Sequence, residues 1–321
     1  MRLVTTFLFP LFLNMLPCRR LLLLFVALSA CFLIGCGGKQ SEHPHRNGGD
    51  EDKSEARPSD VEPAEEIQKP WIDGGAAAGW QGLDDFGRLV FRKNSKLVKY
   101  EFPAFEVTRN ASDLLATAPP PGKPFGLDLS KAKLSDSDLD LLLRFPHLKS
   151  LRLPASMGDE AIATVARLEE LEHLDLSGTS VTSLGLGKLG QLQELKSLML
   201  ADTGTTDDGV AALGSPAALR LLDLARTMVS DQGVKTLASI DTLGSLDLSG
   251  CAVTDEGVKA IQDLHDLEIL NLSRTSVADD GIVALSSLKR LQWLKVYRTS
   301  VTTSGVERLA GKLSNHCRID H

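Results

Sequence analysis

From Pro124 onward, aliphatic and polar positions return in one frame every 24 residues, so this part of the chain is a tandem repeat. Three copies set the frame: LRLLDLARTMVSDQGVKTLASIDT from Leu219, LGSLDLSGCAVTDEGVKAIQDLHD from Leu243 and LEILNLSRTSVADDGIVALSSLKR from Leu267. Other copies begin at Leu148, Leu171, Leu195 and Leu291, with a degenerate one near Pro124, making eight. The copy at Leu148 is one residue short beside Met157. Within a copy, Leu270 and Leu272 alternate as on a strand, whereas Ile282, Leu285 and Leu288 recur every third residue as on a helix. Each copy therefore predicts one strand followed by one helix. A single copy cannot bury enough aliphatic surface to offset the ordering of its backbone. Stacking in register resolves this and predicts an α/β fold: a right-handed solenoid with a parallel sheet on its concave face and helices on its convex face.

The polar positions support the same frame. Thr, Ser or Asp before the helix, as in Val253-Thr254-Asp255, supplies an N-cap oxygen, and the acid suits the helix dipole. A glycine column (Gly185, Gly209, Gly233, Gly257, Gly281, Gly305) points to a close approach at the strand-to-helix turn. A threonine column (Thr179, Thr203, Thr227, Thr275, Thr299), with Cys251 in one slot, should sit inside the bend with its hydroxyls paired to backbone. Residues 124–314 form the repeat domain on this reading. Residues 71–123, with Trp71, Trp80, Phe86, Val90 and Phe91 among glycines, are expected to form a strand-rich cap over the first copy, and 315–321 to close the other end.

The T-x-V-T-D-x-G-V phrase inside L-x-x-L-x-L resembles the leucine-rich repeat family, and most closely its cysteine-containing and ribonuclease-inhibitor-like variants. The resemblance covers residues 124 to about 314. It implies a binding scaffold rather than an enzyme, with a protein or envelope polymer on the concave face.

The N-terminus carries an address. LLLLFVALSACFLI (21–34) follows Arg19-Arg20 and is too short for a comfortable membrane span, so it predicts a signal peptide, residues 1–35. Leu33-Ile34-Gly35-Cys36 resembles a bacterial lipobox, which implies lipidation of Cys36 and tethering to a membrane through the N-terminal lipid. The apolar stretch before Arg19 suggests Met15 as the true start. Together, lipobox and repeat resemble lipoproteins of planctomycete-like bacteria and imply localisation in the bacterial cell envelope, facing the periplasm or exterior. Residues 36–70, with many acids, Gly and Pro and few large apolar groups, predict a disordered acidic leash beginning at the lipidated cysteine. His43 and His45 in this leash make a weak metal pair, and no cofactor or metal is expected.

The formal charge is −7, and losing residues 1–35 removes three arginines and no acid, leaving −10. That balance disfavours nucleic acid as a partner. On the concave face, the central column reads Asp128, Arg152, Asp175, Met199, Asp223, Asp247, Asn271 and Lys295. Trp293, Lys295 and Tyr297 with Arg274 and Arg298 are the main partner-binding candidates, because exposed aromatics and arginines dominate interface energy. Asp223, Asp247 and Asn271 extend the candidate surface, with Asp223 and Asp247 expected as a solvated acidic stripe partly balanced by Arg226. His173 between Ser150 and Ser197, with Asp175 nearby, contains the residue types of a nucleophilic triad, but a gently concave sheet offers no pocket or oxyanion donors. The reading is a monomeric, non-catalytic interaction module. Its rivals are a self-associating structural protein and, more remotely, a hydrolase.

Overall fold

A computed structural model describes residues 65–84, 88–93, 99–313 and 317–321 of this chain. The proposed signal peptide, Cys36 and leash up to residue 64 lie outside the described residues, as does Phe86. All eight copies form a short strand and then a helical segment. The strands are β4 (Phe125–Asp128), β5 (Leu148–Arg152), β6 (His173–Asp175), β7 (Ser197–Met199), β8 (Leu221–Asp223), β9 (Ser245–Asp247), β10 (Ile269–Asn271) and β11 (Trp293–Lys295). The first copy continues into a 3-10 segment, Asp136–Arg144. The others continue into α3 (Asp159–Val165), α4 (Ser183–Leu189), α5 (Asp207–Leu213), α6 (Asp231–Leu237), α7 (Asp255–Ala260), α8 (Asp279–Ala284) and α9 (Thr303–Ala310).

Neighbouring strands from β4 to β11 pair in parallel with equivalent frame positions opposite one another, for example Leu246 with Leu270 and Leu270 with Leu294. The frame leucines on one sheet face, Leu151, Leu174, Leu198, Leu246, Leu270 and Leu294 among them, are buried against helix residues such as Val234, Leu237, Val258 and Ile282. Since side chains alternate across a strand, the columns between these leucines face the helix-free side of the sheet. This is the face expected to be concave.

Polar columns seal the joints. Thr179, Thr203, Thr227, Thr275 and Thr299 each donate a hydroxyl hydrogen bond to the carbonyl three residues earlier, at 2.6–2.7 Å. Cys251 replaces that hydroxyl with a thiol 3.0 Å from the Leu224 carbonyl of the preceding copy. The acid after the N-cap has a role the sequence reading did not find: it reaches into the next copy. Asp231 accepts from the Thr254 backbone N–H (2.8 Å) and hydroxyl (2.6 Å), Asp207 does the same for Ser230, and Asp279 for Thr302. This approach also explains the glycine column. A Cβ on Gly185 would stand 2.6 Å from Asp159 Oδ1, and those on Gly233, Gly257, Gly281 and Gly305 would come closer still to the equivalent carboxylate. None of these glycines has positive φ, so the requirement is space rather than backbone freedom.

The segment before the repeats contains α1 (Glu65–Asp73), β1 (Ala77–Leu83), β2 (Leu89–Arg92), β3 (Lys99–Glu106) and α2 (Ala111–Thr117). Helix α1 shortens the expected leash, which had run through Pro70. Trp71 is fully buried, stacked on Phe105 with ring centroids 4.6 Å apart, and it donates to the Pro119 carbonyl at 3.1 Å. Docking one large ring into the core anchors the turn before it. Strand β3 joins β4 in parallel, and β1 and β2 continue the sheet antiparallel as a hairpin. At the opposite end β12 (Arg318–Asp320) pairs with β11, with Ile319 against the core.

Two substitutions separate space from helix propensity. Gly257→Ala is expected to destabilise by about 1–3 kcal/mol through overpacking, although Ala is the better helix former. Gly187→Ala in α4, where the new methyl meets Ala212 at ordinary contact distances, its Cβ at 3.6 Å and its carbonyl oxygen at 3.8 Å, should stabilise by about 0.5–1 kcal/mol. Urea midpoints of the two variants, moving in opposite directions, are the check.

Candidate functional site

The hairpin changes what the helix-free face offers. It does not stop above the first copy. Leu83 and Leu89 pack on Met199 and Leu221, which belong to the fourth and fifth copies. Gln81 lies over Gly126, and the Phe102 ring sits 5.7 Å from the His173 ring. As a result Ser150, His173, Ser197, Met199, Leu221 and Asp223 are all at most 7% exposed. From β9 onward Ser245, Asp247, Ile269, Asn271, Trp293 and Lys295 are half-exposed. The accessible part of this face is its C-terminal half.

At that end the candidates divide. Trp293 lies between two cations, with Lys295 Nζ 4.4 Å and the Arg318 guanidinium 4.8 Å from its ring, and its Nε1 donates to Asp320 at 2.8 Å. The terminal strand thus holds Trp293 half-buried, and burial draws the Lys295 ammonium below the usual lysine value. Tyr297 (47% exposed), Arg274 and Arg298 project beyond the strands. Among the described residues, neither arginine forms an ion pair.

The acidic column differs from the expectation of a solvated stripe. Strand register puts Asp223 beside Asp247 and Asp247 beside Asn271. Each ends its strand by accepting the backbone N–H two residues on, from Ala225, Ser249 and Ser273 respectively, at 2.8–3.1 Å. This local turn accounts for the preference for Asp or Asn at that position. Asn271 Nδ2 also donates to Asp247 Oδ2 at 2.8 Å. Asp223 is only 5% exposed, and burial, followed by repulsion from Asp247, pushes its carboxyl up to about 7. Arg226 balances this pair in part, by charge across space and without a hydrogen bond to either acid among the described residues. It forms a two-point ion pair with Asp202, holding that carboxyl below the ordinary aspartate value.

The nucleophilic cluster does not assemble. Asp175 pairs with Arg152 Nε at 3.0 Å and accepts from Ser177 N–H, while Ser197 Oγ lies 3.7 Å from Met199 Sδ. His173 Nδ1 and Ser150 Oγ are buried with no hydrogen-bond partner among the described residues. Burial lowers the His173 imidazole to about 4. No base-to-nucleophile hydrogen bond exists here, and the cluster's burial follows from the hairpin cover that sequence spacing does not reveal.

These two buried groups give opposite pH dependences. His173 has a lowered folded-state pKa, so the unfolded chain binds the proton more tightly and stability falls as pH drops from about 6.5 towards 4. Asp223 has a raised one, so the folded chain holds the proton more tightly and stability falls as pH rises from about 4 through 7. Asp223→Asn keeps the turn hydrogen bond, as Asn271 does, and should raise stability at pH 8 by about 1–3 kcal/mol, with the gain vanishing near pH 4. Thermal melts of wild type and variant across that range check both sign and window.

A family model described as Leucine Rich repeat matches residues 242–261 and 264–286, parts of two consecutive copies. No curated protein matches the chain. Among solved structures, an internalin from Listeria monocytogenes is 18% identical with a TM-score of 0.46, the match covering 61% of this chain and 60% of that one. The chain therefore spans about three fifths of that protein's length. Repeats of this type typically mediate protein–protein interaction and serve as non-enzymatic scaffolds. The chain thus carries leucine-rich repeats, organised as parallel strands alternating with helices along one open sheet.

Proposed function

We propose that this chain is a non-catalytic interaction module, tethered by lipid on Cys36 to a membrane of the bacterial cell envelope, that holds a protein or envelope polymer against the C-terminal half of its helix-free face. One observation carries the docking part. A left-handed backbone position recurs every 24 residues: Gly178 and Gly250 fill it without strain, Asp202 (φ 58°) and Arg226 (φ 57°) fill it and pair with each other, and Arg274 (φ 60°) and Arg298 (φ 54°) fill it with no ion-pair partner among the described residues. Both are exposed beside exposed Tyr297, Arg298 following it in the chain and the Arg274 backbone N–H donating to its carbonyl at 2.7 Å, at the part of the face the hairpin leaves open. Strained residues kept at an accessible edge, of the types that dominate interfaces, favour a contact surface.

The tether rests on the Arg19-Arg20 pair, the apolar run 21–34 and Leu33-Ile34-Gly35-Cys36. Among the described residues no helix is long and apolar enough to cross a membrane.

Arg274→Gly should leave fold stability unchanged or raise it by up to about 1 kcal/mol through relief of the left-handed strain. Together with Tyr297→Ala it should abolish capture of partners from a bacterial envelope extract. Equal capture by wild type and the double variant would overturn the docking surface, while concentration-dependent sedimentation without capture would favour the self-associating alternative. For the tether, Cys36→Ala expressed in a lipoprotein-processing host should move the protein from the membrane to the soluble fraction and lose incorporation of a labelled fatty acid.

A further inference from the structure

The left-handed positions form a ladder beyond the strand ends, in which Gly178, Asp202, Arg226, Gly250, Arg274 and Arg298 follow one another at the repeat period. Each member up to Arg274 donates its backbone N–H to the residue just before the next member, at 2.7–2.9 Å, so consecutive members keep one spacing. Within this ladder the chain already binds a carboxylate to a guanidinium. Arg226 reaches back one copy and donates from Nε to Asp202 Oδ1 at 2.6 Å and from a terminal nitrogen to Oδ2. Two copies on, the backbone relation repeats: Gly250 N–H meets the Ser273 carbonyl at 2.9 Å, as Asp202 N–H meets the Ala225 carbonyl at 2.9 Å. The arginine is present again, as Arg274, but glycine stands where the aspartate stood. Gly250 is exposed, and the three atoms nearest to a Cβ built on it all belong to Arg226. The ladder therefore has an acid slot beside Arg274 with no acid in it. Arg298 adds a second exposed guanidinium one copy further, and no acid among the described residues pairs with either arginine.

We propose that Gly250, Arg274 and Arg298 form a docking site for an acidic peptide segment of a partner protein, one of whose carboxylates takes beside Arg274 the place that Asp202 takes beside Arg226. This deepens the docking surface proposed above and rests on it. The internal pair selects a carboxylate, because two-point recognition of that planar group is what the ladder already performs. Magnitude then selects a segment with several acids. Asp202 and Arg226 remain about half exposed, and a single ion pair in such a setting contributes little. One acid over Gly250 would not hold a partner. A second carboxylate on Arg298 and contact with the exposed Tyr297 ring supply the rest. The two arginines, neighbours in one ladder, also repel each other until an anion joins them. Because the chain as a whole carries −7, attraction of an acidic segment has to come from this local pair and not from the overall field.

Fluorescence anisotropy of labelled hexaglutamate with the full-length chain, at neutral pH and low ionic strength, tests the proposal, with unlabelled hexaglutamate, hexaglutamine and tripolyphosphate as competitors. Hexaglutamate should bind, weaken as salt is added, and compete at least about tenfold more strongly than hexaglutamine. Gly250→Asp fills the slot from within and should abolish binding, whereas Gly250→Asn, of the same size without the charge, should keep it. Asp202 shows that the ladder accepts such a side chain at positive φ. Arg274→Gly combined with Arg298→Gly should also abolish binding while melting no lower than wild type, since Gly178 and Gly250 occupy the same ladder position. Equal competition by hexaglutamine, stronger competition by tripolyphosphate, unchanged affinity in the double glycine variant, or equal affinities of Gly250→Asp and Gly250→Asn would each overturn the carboxylate site. Absence of hexaglutamate binding, with envelope capture still lost in Arg274→Gly/Tyr297→Ala, overturns this site and leaves the docking surface standing. Hexaglutamate binding with undiminished capture in that variant does the reverse.

Discussion

Each coil of this chain hides its leucines only against the next coil. The strand leucines and helix valines of one copy line half of an apolar layer whose other half belongs to its neighbours, and the parallel register places equivalent residues opposite one another from β4 to β11. That constraint turns any one-residue property of the frame into a column. The Asp-to-Gly contact between consecutive helix starts, the threonine hydroxyls inside the bends and the left-handed position after each strand are all consequences of one spacing repeated.

Columns also organise the chemistry of the helix-free face, and the hairpin then divides it. Where Leu83 and Leu89 reach Met199 and Leu221, the face becomes interior, with a low-pKa histidine and a high-pKa aspartate as its electrostatic signature. Beyond that reach, Tyr297, Arg274 and Arg298 face solvent. A surface that looks uniform by residue type is therefore two environments, one desolvated and one accessible. The same aspartate column supplies turn acceptors in both.

The repeat architecture was legible because period and burial are local properties of the frame: Leu270 and Leu272 announce a strand, Ile282 and Leu285 a helix, and the threonine column its bend. The hairpin cover was not legible, since it depends on a contact between Leu89 and Met199 across more than a hundred residues with no periodic signal. Misjudging Asp223 as solvated followed directly from that. The function of the glycine column was half legible: close approach could be inferred, but not that the approaching group is an aspartate from the preceding copy. Trp71 was visible as a large aromatic in a glycine-rich segment, but neither its stacking on Phe105 nor the helix α1 that begins six residues before it was.

The pairing of an acid in one copy with a glycine in the next has a consequence for how such a chain can grow or be lengthened. The fitting parts sit on opposite sides of every junction, so an inserted unit matches both neighbours only if it carries the acid at its forward end and the gap at its rear. Ser183 shows the tolerated exception: a shorter group before Gly209, still bonded across the junction to Thr206 at 3.0 Å. Whole-unit duplication preserves this compatibility automatically, whereas splicing in a foreign coil with a bulkier residue at the glycine site would wedge the stack apart at one seam.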